Sequence, residues 1–225
     1  MKKTIFSAAL ALTAISAMAD ENPTWLRDVQ ICPDGSQILF CYKGDIYKVG
    51  VNGGAAQRLT TQDSYECSPV WSADGKQVAF ASDRHGNFDI FVMSANGGSA
   101  TRLTYNSTNE IPQAFTPDGK FIYFGAAIQD PASSVMFPTN SLPELYKVPT
   151  AGGRTLQVLG TPAEMLSFQA DGNGFYYQDR KGYEDEWRKH HTSDITRDVW
   201  YYNAKTGKHT NLTQHAGEDR NPVLS

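Results

Sequence analysis

The sequence DIFVMSANGGSATRLT, residues 89–104, joins a short apolar run, a Gly-Gly step and an Arg-Leu-Thr ending. The same 16-residue pattern occurs at residues 45–60 as DIYKVGVNGGAAQRLT. Looser copies follow at residues 144–159 and 198–213, and in all four copies 13 positions separate the acidic residue from the Arg position. Self-similarity with a period near forty residues predicts a solenoid, a propeller or another repeat array.

An Asp-Gly turn precedes every copy of this pattern. The turns are Asp34-Gly35, Asp74-Gly75, Asp118-Gly119 and Asp171-Gly172. The distance from the turn glycine to the acidic residue grows along the chain, from 10 to 14, 25 and 26 positions. A unit of constant length is therefore interrupted at one variable place in each repeat.

The constant parts of the repeat have the composition of β-strands. They are short runs rich in β-branched and aromatic residues, between Gly, Pro, Asn and Asp: Gln77–Ala81, Asp89–Met93, Phe121–Phe124 and Gly174–Tyr177. Asp-Gly and Gly-Gly supply two hairpin turns per repeat. Four antiparallel strands per repeat predict an all-β fold, a β-propeller of four-stranded blades. A β-sandwich is the alternative, but sandwich strands need not repeat a spacing.

The variable segments of the repeats fall on one face of such a propeller. In a blade the first and third turns share one face, whereas the loop between the second and third strands lies on the other. All the length variation is found in that loop. Binding sites are concentrated in loops carried by a rigid scaffold, so we expect function on that face.

The first 19 residues have the pattern of a signal peptide. Lys2 and Lys3 precede an apolar stretch, and Ala17-Met18-Ala19 matches the small-x-small pattern at which signal peptidase cuts. We therefore expect an exported, periplasmic protein cleaved after Ala19. Residues 20–225 form a partial propeller, with blades at about 24–64, 65–109, 110–164 and 165–217.

The C-terminal residues resemble the start of another repeat. Asn221-Pro222-Val223 aligns with Ser68-Pro69-Val70, which leads into the second Asp-Gly turn. Residues 218–225 are thus expected to begin a fifth blade. About four blades of a six-bladed ring would then be present.

Composition and cysteine content limit the functional classes. The formal net charge is −4 and no basic stripe occurs, so nucleic acid is not an expected partner. The three cysteines are Cys32, Cys41 and Cys67. Across the first turn Cys32 should face Gln37 rather than Cys41, so we expect small apolar fillers rather than a disulfide or a metal site.

The two long insertions differ in character. Residues 180–196 hold His190, His191 and Asp194, but adjacent histidines on an extended chain point to opposite sides, so a solvated or interface loop is favoured over a metal site. Residues 129–142 carry Val135, Met136 and Phe137, which indicates docking against a neighbouring blade or domain, with ligand contact left open.

No catalytic, cofactor-binding or metal-binding residue is predicted on this chain, and the substrate-binding residues are unknown. Asp171-Gly172-Asn173-Gly174 has part of a calcium-loop pattern, but it lacks the terminal Glu and occupies a hairpin-turn position. No Gly-x-Ser-x-Gly elbow or supported Ser/His/Asp set occurs.

The repeat carries a family likeness. Ser72-Ala73-Asp74-Gly75-Lys76, with the Asp-Ile-Phe strand and the Arg-Leu-Thr ending, resembles the TolB-like propeller repeat. Within that group, the charged insertion with Lys181-Gly182-Tyr183 resembles a blade of the first propeller of the tricorn protease family.

The likeness implies the propeller part of an exported tricorn-like serine peptidase. Such a propeller would guide peptides or unfolded polypeptide to a catalytic domain further along the parent chain, and homo-oligomer formation by the parent is left open. No cofactor is implied. The alternatives are a non-catalytic TolB-like periplasmic scaffold that binds proteins, or the propeller of a prolyl-oligopeptidase-type peptidase.

Overall fold

A computed structural model describes residues 25–128, 143–181, 195–214 and 217–224. These residues form sixteen strands and no helix, so none of them crosses a membrane as a long apolar helix. The strands make four antiparallel sheets of four, each with its strands in chain order. The predicted all-β fold with four blades is therefore confirmed.

The blades are named 1 to 4 in chain order. Blade 1 contains β1 (Arg27–Ile31), β2 (Gln37–Tyr42), β3 (Asp45–Gly50) and β4 (Gln57–Arg58), and blade 2 contains β5 (Glu66–Trp71), β6 (Gln77–Ser82), β7 (Asp89–Ser94) and β8 (Thr101–Arg102). Blade 3 contains β9 (Glu110–Phe115), β10 (Phe121–Ala126), β11 (Glu144–Pro149) and β12 (Leu156–Leu159), and blade 4 contains β13 (Ala163–Phe168), β14 (Gly174–Asp179), β15 (Val199–Asn203) and β16 (Lys208–Asn211). The fourth sheet begins at Ala163, two residues before the boundary expected at residue 165.

The Asp-Gly turns owe their recurrence to a local hydrogen-bond pattern. In blade 2 the Asp74 carboxylate accepts hydrogen bonds from the Ser72 hydroxyl at 2.7 Å and the Lys76 N–H at 3.1 Å. Gly75 has a φ of 68°, which only glycine adopts without strain. The turn at Asp118 repeats this pattern, and its hydrogen bonds lower the pKa of Asp118 to about 2.

The constant 13-residue spacing has a physical cause at the outer edge of blades 1, 2 and 4, whereas blade 3 has Gly160 at the threonine position. In blade 1 the Thr60 hydroxyl accepts a hydrogen bond from the buried Ile46 N–H at 2.9 Å, and the Leu59 N–H donates to the Ile46 carbonyl at 2.8 Å. The Arg58 guanidinium pairs with Asp45 at 2.6 Å. Arg-Leu-Thr is therefore the partner segment of Asp-Ile-Tyr. The hydroxyl contact recurs as Thr104 to Ile90 and as Thr213 to Val199.

The hydrophobic core lies between successive blades. One cluster joins blades 1 and 2, a second joins blades 2 and 3, and a third joins blades 3 and 4. Phe80, Phe124 and Phe175, all in the second strands of their blades, are the largest fully buried side chains. The sheets of blades 2 and 3 therefore contribute both faces to packing, which explains the high aromatic content of the chain.

The first strand of each blade is the innermost one and is irregular. β1, β5, β9 and β13 contact one another in sequence, and each has a register shift against its partner strand. Asp28, Ser68 and Met165 occupy the left-handed region at the shift, with φ values of 51°, 51° and 55°. Non-glycine residues adopt this conformation at a cost of roughly 1 to 2 kcal/mol, so interblade packing has to hold them there.

We expect Thr60→Val to lower the free energy of unfolding by about 1 to 3 kcal/mol, because the buried Ile46 N–H loses its acceptor. Thr61 is exposed, so Thr61→Val serves as the matched control and should leave stability unchanged. Urea unfolding followed by tryptophan fluorescence measures both values. Equal effects of the two substitutions would contradict this account of the repeat.

Candidate functional site

A cleft of about 840 Å³ runs along the innermost strands of all four blades. Its walls are residues 28–30 of β1, 68–70 of β5, 111–113 of β9 and 164–167 of β13, and residues 221–223 complete it. The strand irregularities face this cleft, since the left-handed residues Asp28, Ser68 and Met165 all line it. The cleft is therefore a property of the repeat itself and is not produced by one blade.

The cleft wall combines exposed apolar side chains with prolines. Val29 and Met165 are 57% and 46% exposed although both are apolar. Pro69 lies in β5 and Pro112 in β9, one position apart in the repeat, and Pro222 follows Asn221 as Pro69 follows Ser68. Because proline has no N–H, these positions reduce the number of backbone donors along the wall.

An ionic cluster lies at the blade 4 side of the cleft. The Arg180 guanidinium is 3.3 Å from Glu164, and the Gln178 amide donates a hydrogen bond to the same carboxylate at 3.2 Å. The Gln178 carbonyl oxygen accepts from the Asn221 N–H at 3.0 Å. The cluster thus fixes residues 221–224 against β13 and β14 and leaves Glu164 charge-compensated.

Side chains of the wall also connect neighbouring innermost strands. The Asp28 carboxylate accepts a hydrogen bond from the Ser68 N–H at 2.9 Å, and the Gln113 amide donates to the Ala163 carbonyl at 2.9 Å. The Ser167 hydroxyl accepts from the Leu224 N–H at 3.0 Å. Asn221 has a φ of 54°, as the first-strand residues of the other blades have, although residues 217–224 form no strand. The fifth blade stays a prediction.

The insertions highlighted by the sequence are largely outside the described residues. This holds for His190, His191, Asp194, Gly182 and Tyr183, and also for Val135, Met136 and Phe137. Lys181 is described, and its ammonium group is 2.7 Å from the Asp198 carboxylate. The first residue of this insertion motif therefore pairs with the acidic residue of the blade 4 repeat.

The two other sequence candidates are structural. Asp171 accepts a hydrogen bond from the Asn173 N–H at 2.9 Å in the turn between β13 and β14, which confirms the hairpin prediction. Cys32 donates its N–H to the Gln37 carbonyl at 2.8 Å, so these residues face each other as predicted. Among the described residues no cluster of three or more His, Cys, Asp or Glu could hold a metal ion.

The three thiols are free, and Cys32 and Cys41 lie in the core between blades 1 and 2. Burial raises the pKa of Cys67 to about 11 and raises the pKa of Cys41 as well. Thiols with such values are protonated at neutral pH and are poor nucleophiles. This agrees with the expected role as small apolar fillers.

Sequence reasoning did not identify the cleft residues Met165, Glu164 and Arg180. A signal was present, because Pro69, Pro112 and Pro222 recur just before or within the innermost segments. Proline within a strand is typical of the edge of a sheet, so these prolines indicate edge strands. The approach of the four strands around one cleft, however, depends on packing between blades.

Four consecutive antiparallel sheets around a common cleft define the chain as a β-propeller protein. A model of the tricorn protease N-terminal beta propeller domain matches residues 23–225, which is nearly the whole chain. The chain therefore belongs to the tricorn N-terminal propeller family. No curated protein matches the sequence significantly.

Solved structures agree on the fold. A tricorn protease structure superposes with a TM-score of 0.68 at 19% identity, over 90% of this chain and 20% of that one. TolB from Acinetobacter baumannii gives 0.59 at 19% identity, over 87% and 45%. A TolB structure from Agrobacterium tumefaciens gives 0.56 at 18% identity, over 87% and 83%. The chain thus spans one fifth of the tricorn protease chain that it matches.

We expect Glu164→Gln to lower the free energy of unfolding by about 1.5 kcal/mol, because Arg180 would lose its carboxylate in a site where both side chains are mostly buried. Lys120→Gln is the control, since Lys120 and Asp118 form an exposed pair at 3.2 Å. Exposed pairs contribute little, so this control should be neutral in the same urea titration. A neutral Glu164→Gln would show that the cluster is not structural.

Proposed function

We propose that this chain is the propeller part of an exported tricorn-like serine peptidase and that it guides peptide substrates to a catalytic domain outside the chain. The observation that carries the proposal is the family match over residues 23–225, together with an apolar cleft along the innermost strands. The propeller itself supplies binding, and the hydrolytic residues belong to the parent protein.

The size of the cleft suits an extended polypeptide. Strands β5, β9 and β13 each contain six residues. An extended six-residue peptide is roughly 20 Å long, about the length of such a strand. A peptide lying along the cleft would therefore contact the innermost strands of several blades at once.

The chemistry of the wall suits many sequences rather than one. Val29 and Met165 offer apolar contact, which is non-directional and does not select a particular side chain. The Glu164 carboxylate already pairs with Arg180, so no strong uncompensated charge is expected at this side. Weak selectivity fits a guiding surface better than a specific receptor.

Similarity to TolB structures supports a second candidate function, a non-catalytic scaffold that binds folded proteins. The two candidates use different surfaces. A peptide guide uses the cleft, whereas a scaffold for folded partners uses the outer loops. Substitutions in the cleft therefore separate them.

Binding of short, fluorescein-labelled, unstructured peptides, measured by anisotropy, tests the peptide proposal. Met165→Asp places a charge on the wall and should weaken binding by about tenfold. Val51→Asp is the matched control, because Val51 is 48% exposed but lies in a turn between β3 and β4. Absence of peptide binding, with capture of a folded envelope protein unaffected by Met165→Asp, would favour the scaffold.

Export is tested separately. Expressed in a bacterium with two membranes, the protein should be found in the periplasmic fraction with Asp20 as its first residue. Ala19→Arg alters the cleavage position and should retain residues 1–19, as N-terminal sequencing would show. A cytoplasmic, uncleaved wild-type protein would contradict export without affecting the peptide-binding proposal.

A further inference from the structure

Two glutamates occupy equivalent buried positions at successive blade junctions. Glu66 begins β5 and Glu110 begins β9, and the two side chains are 0% and 1% exposed. The Glu66 N–H donates to the Gly44 carbonyl and the Glu110 N–H to the Phe88 carbonyl, both at 2.8 Å. Each glutamate therefore joins its blade to the preceding one.

The surroundings of Glu66 stabilise a charged carboxylate. The Ser82 hydroxyl donates to it at 2.9 Å, and the Arg84 guanidinium is 3.0 Å away. The Ser64 hydroxyl donates a third hydrogen bond to the same oxygen. A cation and several hydrogen-bond donors offset the cost of burying a charged carboxylate.

Glu110 lacks these partners because two residues differ between the repeats. Ala126 pairs with Glu110 in the position where Ser82 pairs with Glu66, and Ile128 stands where blade 2 has Arg84. Glu110 retains one side-chain hydrogen bond, from the Thr104 hydroxyl. In both glutamates the Oε2 atom is buried without a hydrogen bond in the described structure, so the two sites differ in the partners of the other carboxyl oxygen.

Arg102, the cation that acts on Glu110, is already engaged by another buried carboxylate. Arg102 lies 2.8 Å from Asp89, which is fully buried. The repulsion from Asp89 acts on Glu110 in addition to the loss of solvent. With both carboxylates ionised, Glu110, Asp89 and Arg102 together carry one excess negative charge, and an uncompensated buried charge is costly.

We propose that Glu110 is a proton-binding site at the junction of blades 2 and 3, protonated in mildly acidic solution, and that release of this proton weakens the junction. Protonation of Glu110 removes the excess charge and leaves Arg102 to Asp89 alone, 2.8 Å away, where the guanidinium opposes the rise that burial causes in the pKa of Asp89. In support, burial raises the pKa of Glu110 to about 7, with Asp89 as a further cause.

The other carboxylates on the strands that pack against β9 form ion pairs with their own arginines. Glu110 is faced by Asp89 of β7 and Arg102 of β8, and His85 acts on Asp89. β9 also packs against β5, β6, β10 and β13. The ionisable side chains of those strands are Glu66, which pairs with Arg84, Glu164, which pairs with Arg180, Cys67 and Tyr123.

The sign of the pH effect follows from proton linkage. Between the ordinary value of 4.5 and about 7, folded Glu110 holds a proton that the unfolded chain has lost. Stability from this site is therefore full below pH 4.5 and is lost as the pH rises through 7. The turn aspartates Asp74 and Asp118 have lowered pKa values, so their effect appears only in stronger acid.

Thermal unfolding of the full chain between pH 5 and pH 8 tests the proposal. The Tm of the wild type should fall on the order of 5 °C more than that of Glu110→Gln, which cannot titrate. His209, whose pKa is lowered by burial, titrates equally in both proteins and cancels in the comparison. Parallel pH profiles of the two proteins would overturn the proposal.

Three further measurements keep the test decisive. The double variant Ala126→Ser with Ile128→Arg gives Glu110 the surroundings of Glu66, and its pH profile should match that of Glu110→Gln. Glu66→Gln should lower the Tm at every pH without changing the slope. If the variants do not fold, carbon-13 NMR of the wild-type glutamate carboxyls decides, since a midpoint near 7 supports the site and values all below 5 refute it.

Discussion

The outer hairpin of blades 1, 2 and 4 depends on one short contact, in which a threonine hydroxyl accepts a hydrogen bond from the backbone N–H that follows the acidic residue. The fourth strand of blades 1 and 2 contains only two residues, too few to hold itself by a ladder. Three contacts hold this strand in place. They are the hydrogen bond to the threonine hydroxyl, the adjacent backbone hydrogen bond and the Asp–Arg ion pair. Leu59 and Leu103 are thereby buried in the interblade cores. All three contacts require the same number of intervening residues, which explains why insertions occur elsewhere in the repeat.

The sequence predicted the blades because their determinants are local. Turn residues such as Asp74 and Gly75 make hydrogen bonds to residues within five positions of them. The two ends of the 16-residue unit likewise contact each other. The cleft was not predictable in the same way. Asp28, Ser68 and Met165 adopt left-handed backbone although none is glycine, because contacts with neighbouring blades impose it. Likewise Glu66 and Glu110 are identical in the repeat pattern, and only the residues packed around them distinguish their chemistry.

The fold agrees with the family to which the chain belongs. The proposed role of the cleft depends instead on the side chains that line it. Structures of tricorn protease and of TolB share this architecture at under 20% identity, which shows how widely the same blade geometry accommodates different sequences. In this chain the interior of blade 2 contains a buried ion pair, Asp89 with Arg102, and stacked aromatic rings, Phe80 with Phe91. The innermost strands instead leave Val29 and Met165 in contact with solvent.

The prolines of the innermost strands have a kinetic consequence for any chain that enters the cleft. A backbone wall with an unbroken row of donors would capture a passing polypeptide as an added strand, and release would then require many hydrogen bonds to break together. Pro69, Pro112 and Pro222 interrupt that row. Contacts through apolar side chains break one at a time, so a polypeptide on this wall would have short residence times and could advance by small steps.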